Sequence, residues 1–129
     1  MATFLLDTSV IIDAINNKKN RRTLLRELLE QGNLLACCPI NVTEVYAGMR
    51  PVEERTTLEF LETLQYFPIT WPVARLAGLV KRDYGKKGIT LATTDATIAA
   101  VALYNQLSLL TDNLKHYPMK NLSLYPLPA

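Results

Sequence analysis

Short unbroken apolar runs alternate along the chain with stretches in which apolar residues recur every three or four positions. Thr3 to Leu6 reads as a buried strand that stops at Asp7. Thr8 or Ser9 can then cap a helix carrying Val10, Ile11 and Ala14. Arg21 to Gln31 is a second helical stretch, with Leu24, Leu25, Leu28 and Leu29 on one face, closed by Gly32-Asn33. Leu34 to Cys38 reads as the next strand. Asn41 or Thr43 opens a short helix through Glu44, Val45 and Ala47 that closes near Gly48. Pro51 suits the first turn of a helix striped by Leu58, Leu61 and Leu64. Phe67 to Thr70 is a short strand, and Pro72 opens a helix with Leu76, Leu79 and Val80 inward, broken by Gly85 and Gly88. Thr94 caps a helix from Asp95 to Asn105 that is nearly all apolar and therefore central. Leu107 to Leu110 and Leu122 to Tyr125 are the last strands.

Strands alternating with helices predict an α/β fold, a three-layer α/β/α sandwich on a mostly parallel central sheet. The strand runs are unbroken rather than alternating, as expected when helices cover both faces. In such folds ligands bind beyond the carboxyl ends of the strands.

Composition narrows this picture without naming a partner. The 129 residues suit one domain, 1–129, and 49% hydrophobic with 20% charged residues is an ordinary globular balance. A net charge of +2 identifies no ligand, although a nucleic-acid binder can concentrate its cations on one face. Cys37 and Cys38 lack partners at metal-ligand spacing and read as small core residues on opposite faces of a strand, in a reducing compartment. No apolar run approaches the roughly 20 residues of a membrane span, and the N-terminus lacks a basic leader, so a cytoplasmic protein is expected.

Four acids stand where the fold would gather them. Asp7 follows Phe4-Leu5-Leu6, and Asp112 follows Leu109-Leu110-Thr111. Asp95 begins a helix, and Glu44 lies in the first turns of the helix after the Leu34 strand. If these strands are parallel, the carboxylates meet at one sheet edge, repel one another, and call for a cation. Hard oxygen donors suit Mg²⁺ or Mn²⁺, which can activate water and stabilise charge on a phosphate. Each acid also has a bland reading: Asp7 and Asp95 as helix caps, Asp112 as a turn residue, Glu44 as an exposed helix residue.

The opening Leu5-Leu6-Asp7-Thr8-Ser9-Val10-Ile11-Ile12-Asp13 resembles the first motif of the PIN-domain family. Thr43-Glu44-Val45-Tyr46-Ala47-Gly48 resembles the second, and the stretch from Thr94-Asp95 to Ala102 the third. Leu109-Leu110-Thr111-Asp112-Asn113, followed by Tyr117, resembles the fourth. The resemblance covers the whole chain and points to VapC-like toxins of bacterial toxin–antitoxin pairs. It implies a parallel α/β/α sandwich, Mg²⁺ or Mn²⁺, and endoribonuclease activity on RNA. Asp7, Glu44 and Asp95 match its metal-site acids and catalytic positions. The fourth position falls on Asp112 or on Asn113, and one of the two is expected to reach the site. Thr8, Ser9, Thr111 and Asn113 are then candidates to hydrogen-bond the acids or the phosphate.

Lys18, Lys19, Arg21, Arg22 and Arg26 form a basic cluster that is either a solvated face or, through Arg21, Arg22 and Arg26, an RNA contact. Lys81, Arg82, Lys86 and Lys87 carry the same ambiguity. His116 reads as a surface residue and Trp71 as a packing residue. Tyr46, Tyr84 and Tyr104 could stack bases, but half-buried packing is the simpler reading. A phosphatase of the haloacid-dehalogenase type wants a second Asp where Ser9 stands, and a receiver wants paired acids after its first strand. The remaining alternative is a catalytically silent PIN-like module that binds a protein or RNA partner. The family resemblance also implies a homodimer and an antitoxin that blocks the acids. Surplus apolar residues, among them Leu58, Phe60, Leu61, Leu64, Val73, Leu76, Leu79, Val80 and Tyr84, are expected to leave exposed patches for such contacts. An inhibitory peptide would combine an apolar stretch with a cation that replaces the metal's charge.

Overall fold

Five short strands pair through parallel ladders in the order β3-β2-β1-β4-β5, in a computed structural model that describes residues 1–128. They are β1 (Thr3–Leu6), β2 (Leu34–Cys37), β3 (Gln65–Tyr66), β4 (Ser108–Thr111) and β5 (Leu124–Pro126). The register sets Leu5 opposite Ala36 on one side and opposite Leu109 on the other. Leu5, Ala36 and Leu109 face one apolar cluster together with α5 (Trp71–Lys86) and α6 (Thr93–Asn105). Phe4, Leu6, Leu35, Cys37 and Leu110 face the other. That second cluster includes residues of α1 (Thr8–Ile15), α2 (Arg21–Glu30), α3 (Pro39–Gly48) and α4 (Glu54–Leu61). Unbroken apolar strands covered on both faces make the expected α/β/α sandwich.

Cys37 and Cys38 fall in opposite clusters as period-2 alternation requires, and both are buried free thiols. Burial pushes the Cys37 thiol up to about 11, and burial also raises Cys38. Neither is a thiolate near neutral pH, which suits core packing and not metal ligation.

Several boundaries differ from expectation for local reasons. The third strand is Gln65–Tyr66 and not Phe67 to Thr70: Phe67 N–H donates the last ladder bond to the Cys37 carbonyl, and Pro68 has no N–H to extend it. The short helix of Glu44 starts at Pro39, because Cys38 is its N-cap and its N–H donates to Asn41 Oδ1 at 2.8 Å. Asp7, and not Thr8 or Ser9, caps α1. The last strand begins at Leu124, two residues late, since Leu122 N–H turns to the Met119 carbonyl. Pro126 ends it on a sheet edge, where a missing donor costs little.

The chain leaves β1 toward β2 on one side and later returns to place β4 on the other. That reversal opens a crevice beyond the ends of β1 and β4. Asp7 and Thr111 stand there. No helix among the described residues is long and apolar enough to cross a membrane.

Candidate active site

Asp7 is held on three sides. Its backbone N–H continues the ladder to the Leu110 carbonyl at 2.9 Å, which fixes the residue at the end of β1. Its Oδ1 accepts the Thr8 N–H at 2.9 Å, capping α1, and its Oδ2 accepts the Thr111 hydroxyl at 2.6 Å. Thr111 is itself oriented, because its Oγ1 accepts the Asn113 N–H at 2.9 Å. The Asp7 carboxylate is therefore buried, at 7% exposure, with both oxygens aimed by neighbours.

Asp95 lies in the first turn of α6, where the helix dipole favours an anion. The Tyr117 hydroxyl, almost fully buried, lies 3.3 Å from Asp7 Oδ1 and 3.4 Å from Asp95 Oδ1. One phenolic proton can serve only one of two ionised carboxylates at a time. The other carboxylate is then left without the Tyr117 donor. Burial raises the Asp95 carboxyl above its ordinary value; His116 opposes that rise, Asp7 and Glu44 add to it, and Tyr117 counters. Tyr117 is pushed far above the ordinary phenol range, by burial first and then by Asp7 and Asp95.

Glu44 enters from the second turn of α3. The Thr8 hydroxyl donates to its Oε1 at 2.6 Å, and the wholly buried Asn41 donates its Nδ2–H to Thr8 Oγ1 at 3.1 Å. The path Cys38 N–H, Asn41, Thr8, Glu44 thus fixes one Glu44 oxygen from the backbone of α3's own cap. Ser9 Oγ is buried and has no hydrogen-bond partner.

The donor set fits a hard divalent cation. Asp7, Glu44 and Asp95 offer only oxygens, and among the described residues no Lys or Arg pairs with any of them. The one basic side chain against them is His116, whose Nδ1 is 3.5 Å from Asp95 Oδ2. No three acidic, His or Cys side chains among the described residues close around a single ion as they stand. Mg²⁺ can be held by one or two carboxylates with several waters, so a pair of acids is enough for it. Asp7 and Asp95, joined through Tyr117, are the pair that would hold it.

Asp112 lies outside this group. Its Oδ1 accepts from Arg21 Nη2 at 2.7 Å, in an ion pair whose side chains are 25% and 2% exposed. Thr111 faces Asp7, so the next residue along the strand points the other way. Asn113 is exposed, and its backbone N–H is its recorded link to the site through Thr111. The expected exposed basic face is corrected at Arg21, which is buried, with Nη1 donating to the Lys19 and Pro128 carbonyls at 3.3 Å each. Arg22 donates to the Ala14 and Ile15 carbonyls at 2.7 Å each, and Arg26 is exposed.

Two groups at the acids escaped the sequence. His116 sits in a 3₁₀ turn (Leu114–His116) that carries it back to Asp95, a fold-back that periodicity does not report. Tyr117 stood in a motif without a role, and its hydroxyl is the link between the two aspartates. Trp71, expected to pack, is 77% exposed. The apolar surplus of α4 and the turn after it mostly packs inside: Leu61 and Leu64 are buried and Phe60 half-buried, leaving Leu58 exposed. On α5, Val73 is buried and Leu76, Leu79, Val80 and Tyr84 are half-buried. Tyr46 is half-buried and Tyr104 exposed.

A family model of the PIN domain matches residues 4–120. The chain is 30% identical to Ribonuclease VapC19 of Mycobacterium tuberculosis over 115 residues, covering 89% of this chain and 92% of that protein. It is 31% identical to Ribonuclease VapC10 of the same organism over 115 residues, covering 89% of this chain and 86% of that protein. The fold superposes on VapBC2 from Rickettsia felis, solved bound to a DNA fragment from their promoter, with a TM-score of 0.82 and 25% identity. That match covers 95% of this chain and 97% of the other.

Proposed function

The chain belongs to the PIN-domain family, and on that footing we propose that it is a metal-dependent endoribonuclease acting as the toxin of a toxin–antitoxin pair. The observation that carries the reading is the Asp7–Asp95 pair joined through Tyr117 at the switch point of a parallel sheet, with Glu44 close enough to act on Asp95 and no Lys or Arg among the described residues paired with any of the three. The names of the ribonuclease relatives, and the matching length, support it.

Asp7 and Asp95 would hold the ion, with Thr111 and the Thr8 N–H keeping the Asp7 oxygens in place. When bound, Mg²⁺ or Mn²⁺ polarises a phosphate oxygen and lowers the pKa of a coordinated water. Glu44, with Oε1 fixed by Thr8, has its other oxygen free to orient the attacking water and accept its proton. The water oxygen bonds to phosphorus, the bond to one ribose oxygen breaks, and that oxygen takes a proton from solvent, so the ends are a phosphate and a hydroxyl. Ser9 Oγ, buried without a partner one residue after Thr8, would take a hydrogen bond to a water bound at the site. The intact acids weigh against a silent module that only binds a partner.

The partners follow from the same reading. A homodimer would cover exposed apolar residues such as Trp71 and Leu58. An antitoxin would inhibit by placing a cation among Asp7, Glu44 and Asp95. The test is incubation of the purified protein with single-stranded RNA in Mg²⁺, Mn²⁺ or EDTA. Internal cleavage that requires the ion and disappears in Asp95→Asn is expected. Cleavage that persists in EDTA or in the variant refutes the site. Sedimentation as a clean monomer at high micromolar concentration refutes the dimer. An inhibitory peptide that binds independently of Mn²⁺ refutes the charge replacement.

A further inference from the structure

The three acids repel the phosphates they would cleave, so cations beside them must supply the grip on RNA. We propose that the RNA backbone runs over a lysine track formed by Lys86, Lys87, Lys115 and Lys120, and not over the basic cluster around Arg21. The proposal rests on the ribonuclease reading and names where that substrate lies.

A chain of contacts ties the track to the acids. Tyr84, in the last turns of α5, donates its hydroxyl to the Pro118 carbonyl at 3.3 Å. Pro118 follows Tyr117, whose hydroxyl reaches Asp7 and Asp95. The end of α5 is therefore docked on the segment that leaves the site. Lys87 Nζ lies 5.0 Å from the centre of the Tyr84 ring, directly over that dock, and Lys86 precedes it. Lys115 neighbours His116, which touches Asp95, and Lys120 lies two residues beyond Pro118. All four are exposed, and none forms an ion pair among the described residues. A cation in the last turn of a helix complements the dipole, which accounts for Lys86. It does not account for Lys120, which lies outside any helix, and the single 3₁₀ turn Leu114–His116 gives Lys115 little dipole to complement.

Most of the other cations near the fold's two basic clusters are engaged, while Arg75 is exposed on α5. Lys81 donates to the Leu91 carbonyl, and Arg82 pairs with Asp83 at 3.0 Å. Arg21 is buried against Asp112, and Lys19 pairs with Asp13 at 3.7 Å. Arg22 is bound to the last carbonyls of α1, about 10 Å along that helix from its start beside Asp7. Of the first cluster only Lys18 and Arg26 lack a partner among the described residues.

The test measures binding of a short fluorescein-labelled single-stranded RNA by anisotropy across a salt series, in EDTA so that the RNA stays whole. Wild type is compared with K86Q/K87Q/K115Q/K120Q and with R22Q/R26Q, and thermal melts establish that both variants fold. The lysine variant should flatten the log–log salt slope by about 0.7 per lost contact, roughly 2 to 3 in all. The arginine variant should keep the wild-type slope. An unchanged slope in the folded lysine variant, or a slope lost in the arginine variant, overturns the track while leaving cleavage standing. A wild type that neither binds nor cleaves this RNA overturns the ribonuclease reading, and the track with it.

Discussion

Replacing Asp112 by Ala should cost the fold far more than an exposed turn residue would. Arg21 has a side chain only 2% exposed, and Asp112 is its anionic partner at 2.7 Å. Without that carboxylate the guanidinium keeps two long contacts, at 3.3 Å to the Lys19 and Pro128 carbonyls, while its Nε already has no partner. Breaking a buried pair by removing one member costs about 3–5 kcal/mol, because a charge is left without compensation. Asp112 is a quarter exposed, so water can reach the gap, and the lower figure of about 3 kcal/mol applies. For a domain of this size about 4 °C of melting temperature goes with each kcal/mol, so Asp112→Ala should melt roughly 12 °C lower. The double variant Arg21→Met/Asp112→Leu removes both charges and should recover most of the loss, to within about 1 kcal/mol of wild type. Thermal and urea unfolding followed by circular dichroism measure both. The same Asp112→Ala protein should still bind Mn²⁺, since its carboxylate is turned to Arg21 and away from the Asp7–Asp95 pair. A single variant that melts with wild type, or a double variant worse than the single, would show that the pair does not hold this corner of the fold.

Asp7→Asn should abolish cleavage and leave the apo melting temperature unchanged or slightly raised, because Asn caps a helix as well as Asp and carries no charge toward Asp95; residual full activity refutes the assignment. Asp95 has a folded pKa above its unfolded value of 3.8, so its contribution to stability is complete below that value and is lost as pH rises through the folded one. Asp95→Asn should therefore stabilise the metal-free protein at neutral pH and lose that advantage in acid; melts showing a pH-independent difference contradict this. Tyr117→Phe should lower apo stability by about 1 kcal/mol, the worth of one hydrogen bond, while Mn²⁺ still binds in calorimetry; loss of binding would make the hydroxyl indispensable to the site.

Periodicity reports which face a residue takes, and here that was enough for most of the fold. Unbroken Phe4-Leu5-Leu6 and Leu109-Leu110 predicted strands covered on both sides, and they lie at the centre of the sheet. The failures came where backbone chemistry overrode pattern. Phe67 and Ile69 looked like a strand, but Pro68 between them stops the ladder at Phe67. The site divides along the same line. Asp7, Glu44 and Asp95 were legible because each sits where a parallel strand ends or the next helix begins. Asp112 stands at such an end too, one residue past Thr111, and that single step reverses the direction of its side chain. The strand-end rule gives the height of a residue above the sheet and leaves its direction open. Arg21 shows the complementary limit. Nothing in Lys18-Lys19-Asn20-Arg21-Arg22 marks one cation as buried, because what buries it is a carboxylate 91 positions away. The pairing joins the first residue of α2 to the residue that follows β4, segments that only the folded topology brings to one corner. A buried charge can be assigned only after the topology is known, whereas a strand-end acid needs only the direction of its strand. For that reason sequence placed the acids at the crevice and missed the pair that closes the corner beside it.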